Sequence, residues 1–199
     1  LSIEDGFSED DAEGWRLALE RLGGSLFIIG DDLVTTNDQT IEEAASQTLI
    51  NSALIKANQI GSLYETLLAM LVALGKGMDL VVSHRSKSPN DDMEAQIALS
   101  VNSLGLKAGG GANTERLVKY QAVTERMLKV AESGGQHALR PGEQAIVSTI
   151  RAYEESTNAG IPTVGVTLEL AIPTSGVRLG FKGATPLGTS AGTGEAIHL

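Results

Sequence analysis

Short, uniformly apolar runs recur along the chain from Leu1 to about Ser133, and each gives way to an amphipathic stretch. Leu26-Phe27-Ile28-Ile29, Ala53-Leu54-Ile55, Leu80-Val81-Val82 and Leu104-Gly105-Leu106 show no alternation of polar and apolar residues. Strands buried on both faces read this way, and such strands belong to parallel sheets covered by helices. A fifth strand is ending at Ser2-Ile3-Glu4-Asp5. Between the runs, helices are predicted over residues 10–22, 41–51, 63–74, 92–101 and 114–132. Thr40 with Glu43, and Ser62 with Glu65, fit the capping box that satisfies free amides at a helix start. Gly23-Gly24 and Gly75 supply C-terminal stops. Strand alternating with helix implies right-handed parallel crossovers, and therefore an α/β sheet or part of a barrel.

Each run also stops at a residue with functional chemistry. Glu4 follows Ile3, Asp31 follows Ile29-Gly30, Lys56 follows Ile55, His84 follows Val82-Ser83 and Lys107 follows Leu106, at spacings of 27, 25, 28 and 23 residues. One βα unit takes about that many residues, so the five side chains should gather at the carboxyl edge of successive strands. Parallel β/α folds build their sites at that edge. Paired carboxylates there suit a hard divalent cation such as Mg²⁺. A lysine beside another cation loses proton affinity and can serve as a base.

The pattern breaks at Gly134-Gly135. A polar stretch follows, with a short helix predicted from Gln144 to Arg151. Val164, Val166, Leu168 and Leu170 then alternate onto one face, as do Val177, Leu179 and Phe181 after the turn Pro173-Thr174-Ser175-Gly176. This is an antiparallel hairpin. The glycine-rich segment 185–194 reads as a mobile loop. The expected organisation is a half barrel of about five parallel strands over residues 1–133, a linker over 134–149, and a small α+β segment over 150–199.

The 199 residues carry 15 basic and 25 acidic side chains, a net charge of -10, which argues against a phosphate-backbone binder. The chain has no cysteine, so thiolate metal sites and cysteine nucleophiles are excluded. Its most apolar stretch, residues 67–74, is far shorter than the roughly 20 residues that span a bilayer. No signal-peptide pattern opens the chain, and the expected setting is cytoplasmic. Gly109-Gly110-Gly111 is not a phosphate loop, because no Gly-Lys-Ser/Thr follows it. Trp15 falls on the apolar side of the first helix as core, and Asp91-Asp92 reads as a helix cap.

Ser2-Ile3-Glu4-Asp5-Gly6-Phe7, Gly30-Asp31-Asp32-Leu33, Leu54-Ile55-Lys56-Ala57-Asn58-Gln59-Ile60-Gly61 and Ser83-His84-Arg85-Ser86 resemble, in order, successive signature segments of the enolase (phosphopyruvate hydratase) family. Lys107-Ala108-Gly109 with Glu115-Arg116-Leu117 and Lys119-Tyr120 resembles the next one. The resemblance covers residues 1 to about 132 and implies the carboxyl-terminal half of a (β/α) barrel. It implies that Glu4 and Asp31 bind Mg²⁺, and that Lys56 is the base that takes the proton from carbon 2 of 2-phosphoglycerate. It further implies that Lys107 supports the enolate, that His84 binds substrate, and that Arg85 and Ser86 hold its phosphate. Superfamily sites of this kind pair a lysine or histidine base with Mg²⁺.

The segment from Ile150-Arg151-Ala152-Tyr153-Glu154 through Leu187-Gly188-Thr189-Ser190-Ala191-Gly192 is similar, more weakly, to the start of that family's amino-terminal domain. There Ser190 would be the lid serine that reaches a second metal. The order is permuted or junction-like, since the family places this domain before the barrel. Lys87-Ser88-Pro89 departs from the family's Gly-Glu-Thr after Ser-His-Arg-Ser, and nothing resembles the first half of the barrel. Five strands cannot close a barrel that takes about eight. The expected reading is therefore an enolase-type lyase acting on 2-phosphoglycerate and phosphoenolpyruvate, completed by a complementary enolase half or by homodimerisation. A non-catalytic relative serving as a structural or interaction module stands as the alternative. Neither nucleic acid nor membrane is an expected partner.

Overall fold

The computed structural model describes residues 1–132, 146–173 and 177–185. These fall into two compact units. The first holds Leu1–Arg85 and Ala98–Lys107, and the second holds Ser86–Ile97 and the described chain from Ala108 onward.

The first unit carries a five-stranded sheet of β1 (Ser2–Glu4), β2 (Phe27–Gly30), β3 (Ser52–Ile55), β4 (Asp79–Ser83) and β5 (Gly105–Lys107). Every neighbouring pair is parallel, and the spatial order is the chain order. An order without reversal means that each crossover steps in the same direction, which is the winding of a barrel and not of a doubly wound sheet. This is part of a parallel β/α barrel, as the apolar runs predicted. The strands form where they do because their apolar residues lose water on both sides. Ile28, Ile29, Ala53, Leu54, Ile55, Leu80 and Val82 are all buried.

The sheet is strongly curled. Flat, five strands at about 4.8 Å spacing would separate β1 from β5 by about 19 Å. Yet Glu4 on β1 and Lys107 on β5, the two edge strands, form an ion pair. Only an arc brings those edges within side-chain reach.

Helices α1 (Ala12–Leu22), α2 (Asp38–Ser46), α3 (Ala57–Ile60) and α4 (Leu63–Gly75) fill the crossovers. Trp15 on α1 is fully buried, its indole N–H donates to the Ser8 carbonyl at 2.9 Å, and its ring meets Phe7 edge-on at 6.0 Å. Ser62 caps α4 as predicted, accepting the Glu65 amide at 3.2 Å and donating to the Glu65 carboxylate. The Thr40–Glu43 box is corrected. Asn37 caps α2 instead, accepting the amides of Gln39 and Thr40, while the Thr40 hydroxyl donates to the Val34 carbonyl. The helix therefore starts about one turn earlier, at Asn37, and the Thr40 amide is itself one of the capped groups. The stop expected at Gly75 also moves, because α4 runs through that residue and the left-handed backbone falls at Gly77, φ 75°.

Asn51, just before β3, extends the sheet with its side chain. Its Oδ1 accepts the Ile28 amide at 2.7 Å, and its Nδ2 donates to the carbonyls of Leu26 and Gly23. Asn51→Ala should cost about 2 kcal/mol by orphaning these part-buried groups, read as a lower urea midpoint at unchanged slope.

The second unit holds the residues of α5 (Met93–Ser100) up to Ile97, together with α6 (Thr114–Glu132) and a separate antiparallel sheet in the order β6 (Ile146–Ser156), β7 (Pro162–Ile172), β8 (Val177–Ala184). The β7–β8 pairing is the predicted hairpin, with Ile172 opposite Val177 and Gly165 opposite Ala184. The helix predicted over 144–151 is overturned by β6, which is rich in β-branched residues (Ile146, Val147, Thr149, Ile150) that favour extended backbone. Gly165 faces Tyr153 across the ladder, where an added Cβ would lie 2.6 Å from the tyrosine ring.

Candidate functional site at the carboxyl edge of the parallel sheet

Register brings the strand ends level. Glu4 pairs with Ile29 two residues before Asp31, Ile55 pairs with Val82, and Ser83 pairs with Lys107. Asp31 is buried, with Oδ2 held by Lys56 Nζ and Oδ1 accepting from Gln59 Nε2 at 3.1 Å. Gln59 is fully buried, and its Oε1 accepts the Thr36 hydroxyl at 2.8 Å. The Thr36 oxygen in turn accepts the backbone N–H of Lys56 at 2.9 Å. The four residues close a ring that starts and ends on Lys56, fixing both its backbone and its ammonium group.

The ring costs backbone strain. Thr35 and Thr36 adopt φ of 44° and 56°, a left-handed region that β-branched residues avoid. That turn aims the Thr36 hydroxyl at both Lys56 and Gln59.

Asp5, at φ 42°, uses both carboxylate oxygens on the turn after β2, accepting the amides of Asp31 at 2.8 Å and Asp32 at 3.0 Å. Asp5, Asp31 and Asp32 thereby each offer a carboxylate oxygen, all within 4.8 Å of one another. Desolvation, then the neighbouring charges of Asp31 and Asp5, raise the Asp32 pKa above the ordinary carboxylate value. A set of three hard oxygen donors with surplus negative charge is the chemistry that a divalent cation satisfies.

The predicted residues fall in this frame as follows. Lys56 and Asp31 touch, and Lys107 and Glu4 touch. His84 lies beside Lys107 through its backbone N–H, which donates to the Lys107 carbonyl at 2.9 Å. Arg85 is buried, and Ser86 is exposed and belongs to the second unit. Glu4 stands outside the three-carboxylate cluster. Ser190 lies outside the described residues, as does the rest of the predicted lid loop. Asp5, Asp32 and Gln59 lie within the enolase-like motifs, one to three residues past Glu4, Asp31 and Lys56, and that adjacency is the signal for them in the sequence. Thr36 carries no signal of its own. A cleft on the concave face of the sheet, lined by Glu4, Phe27, Ile29, Val81, Leu106 and Lys107, opens beside the Glu4–Lys107 pair.

Comparison with known proteins agrees with this geometry. The family described as "Enolase, C-terminal TIM barrel domain" matches residues 1–149. The chain is 42% identical over 142 residues to "Enolase" of Rubrobacter xylanophilus, covering 71% of this chain and 32% of that relative. It thus spans about a third of the length of the curated relative it matches. With consecutive parallel strands, a curled sheet and chemistry gathered at its carboxyl edge, this chain belongs to the family of the enolase C-terminal TIM barrel domain.

Proposed function

We propose that the chain supplies the carboxyl half of an enolase-type barrel for the Mg²⁺-dependent dehydration of 2-phosphoglycerate to phosphoenolpyruvate, and that a complementary segment or second chain completes the barrel. The observation that carries this reading is the pinned Lys56, whose ammonium group is set against buried Asp31 by the Thr36–Gln59 ring. A base must hold one position relative to the proton it removes, and this lysine does. Asp31, with Asp5 and Asp32 beside it, is the donor set that would hold a divalent ion, and Mg²⁺ is favoured because every donor is a carboxylate oxygen. Such an ion supplies charge stabilisation to a substrate carboxylate as its enolate forms. Lys107 would receive the same carboxylate on leaving Glu4, its partner here. His84, one residue past β4, would bind substrate, and Arg85, two residues past it and followed by Ser86, would hold the phosphate.

The second reading, a non-catalytic module, draws on one observation. Both lysines already spend their charge on carboxylates of this chain. The two readings part in an assay for phosphoenolpyruvate from 2-phosphoglycerate, run on the purified assembly after mass spectrometry has identified every polypeptide in it. Turnover that requires Mg²⁺ is expected. No turnover in an assembly holding a complete barrel would leave the module as the function.

A further inference from the structure

Glu4 and Asp5 are consecutive, yet their carboxylates are sent to different strands. Glu4 reaches Lys107 on β5, whereas Asp5 turns onto the residues that follow β2. The left-handed backbone of Asp5, φ 42°, lets the two diverge. The Asp5 amide extends the β1–β2 ladder by donating to the Ile29 carbonyl at 3.1 Å. Its carboxylate then accepts the amides of Asp31 and Asp32, which open the turn over residues 31–36. An ionised acceptor on adjacent amides is the arrangement of a helix cap, and charge-assisted bonds of this kind are the strong ones.

The turn runs from that anchor to Lys56. The Asp31 carbonyl accepts the amides of Val34 at 3.1 Å and Thr35 at 2.8 Å. One residue later Thr36 accepts the Lys56 amide and donates to Gln59. The Asp31 side chain meets Lys56 from the other end of the same turn. Strain marks this path. Five non-glycine residues among those described have left-handed backbone, and three of them are Asp5, Thr35 and Thr36. Such conformations persist only where surrounding bonds over-determine them. Asp5 supplies those bonds at the start of the turn, and Lys56 with Gln59 supplies them at its end.

We propose that Asp5 is a positioning residue, which holds the start of turn 31–36 and through it sets Asp31 and Thr36 against Lys56. Within the acidic cluster its carboxylate is scaffold, turned on two amides of the protein. This role deepens the reading of Lys56 as a base and takes its catalytic meaning from that reading.

Amide hydrogen exchange of the full chain, followed by NMR with a chelator present, reads the role without a bound ion and without turnover. Asp5→Gly keeps left-handed backbone available and removes both acceptor oxygens. It should speed exchange about tenfold or more at the amides of Asp31 and Asp32, and by a similar factor at the distant Lys56 amide. The amides of β4 should keep their parental rates. Asp5→Asn retains one acceptor oxygen and should recover part of the protection. Asp32→Asn relieves the same crowding of charge but keeps the Asp5 bonds, so its Lys56 amide should exchange as in the parent. In an assembly that turns over 2-phosphoglycerate at saturating Mg²⁺, Asp5→Gly should also lower kcat about tenfold or more with little change in KM. A Lys56 amide unchanged in Asp5→Gly would confine Asp5 to its own turn and overturn the proposal. Equal acceleration in Asp32→Asn would overturn it too, by tracing the effect to charge. If Asp5→Gly loses its circular dichroism, Asp5→Asn decides by the same comparison of amides. No turnover in a complete parental assembly would refute the base reading alone, and the Lys56 amide would still decide the positioning role.

Discussion

Lys119→Met should destabilise the protein by about 3–5 kcal/mol, the loss expected when one partner leaves a buried ion pair. Lys119 on α6 is fully buried, with Nζ 2.8 Å from a Glu94 oxygen, 3.3 Å from Asp91 Oδ1 and 2.9 Å from the Asp91 carbonyl. Asp91 Oδ2 also accepts the Ala184 amide at 2.7 Å, so one carboxylate ties α6 to the last residue of β8. Removing the ammonium leaves two buried carboxylates facing each other. Burial already raises the Asp91 pKa, Lys119 pulls it down and Glu94 pushes it up again, with a net rise. Without Lys119 it rises further. A carboxyl that binds its proton more tightly when folded favours the folded state below its unfolded pKa and loses that advantage as pH rises through the folded value. Urea melts of the variant should therefore show its deficit shrinking toward acidic pH and widest near neutrality. A deficit flat with pH would mean that the two acids do not carry the effect.

On the proposed activity, Lys56→Met should reduce turnover of the completed assembly by about 10³-fold or more, the scale expected for removing a positioned base. The clean readout is exchange of the carbon 2 proton of 2-phosphoglycerate with deuterated solvent. That exchange reports proton removal apart from loss of the hydroxyl. Exchange at the parental rate would assign the base elsewhere. Thr36→Val separates chemistry from position, since it keeps the shape of the side chain but cannot bond Lys56 N and Gln59 Oε1. It should lower kcat by about tenfold with little change in KM.

Much of the barrel half was legible because its signals are local. β2 to β5 stand on the quoted apolar runs to within about two residues, and Ser62, Gly23 and Trp15 play the parts that their neighbours implied. The βα period placed polar residues at the strand ends, but which of them touch was not in the spacing: Lys56 meets Asp31 and Lys107 meets Glu4. What escaped is non-local or ambiguous. Asn37 and Thr40 are both competent caps three residues apart, and only the tertiary path of the chain decides between them. Residues 146–150 carry β-branched side chains that should have outweighed a helix reading, but their partner strand lies about twenty residues downstream. Thr36 meets Gln59 across 23 positions and Lys119 meets Asp91 across 28, so neither contact leaves a trace in spacing. Lys119 carried no assigned contact within its predicted helix, and Asp91 read as a simple cap. Burial converts the two into a structural knot.

The bridge from Glu4 to Lys107 has a further consequence. It spans the gap between the first and last strands through two flexible, partly solvated side chains, with exposures of 31% and 45%. Such a tether is weak and is softened by salt. The open barrel half is therefore held to its bend by a latch and not by a seam. On the proposed completion of the barrel, strands docking at these edges would displace this solvated contact, and added salt should ease their arrival.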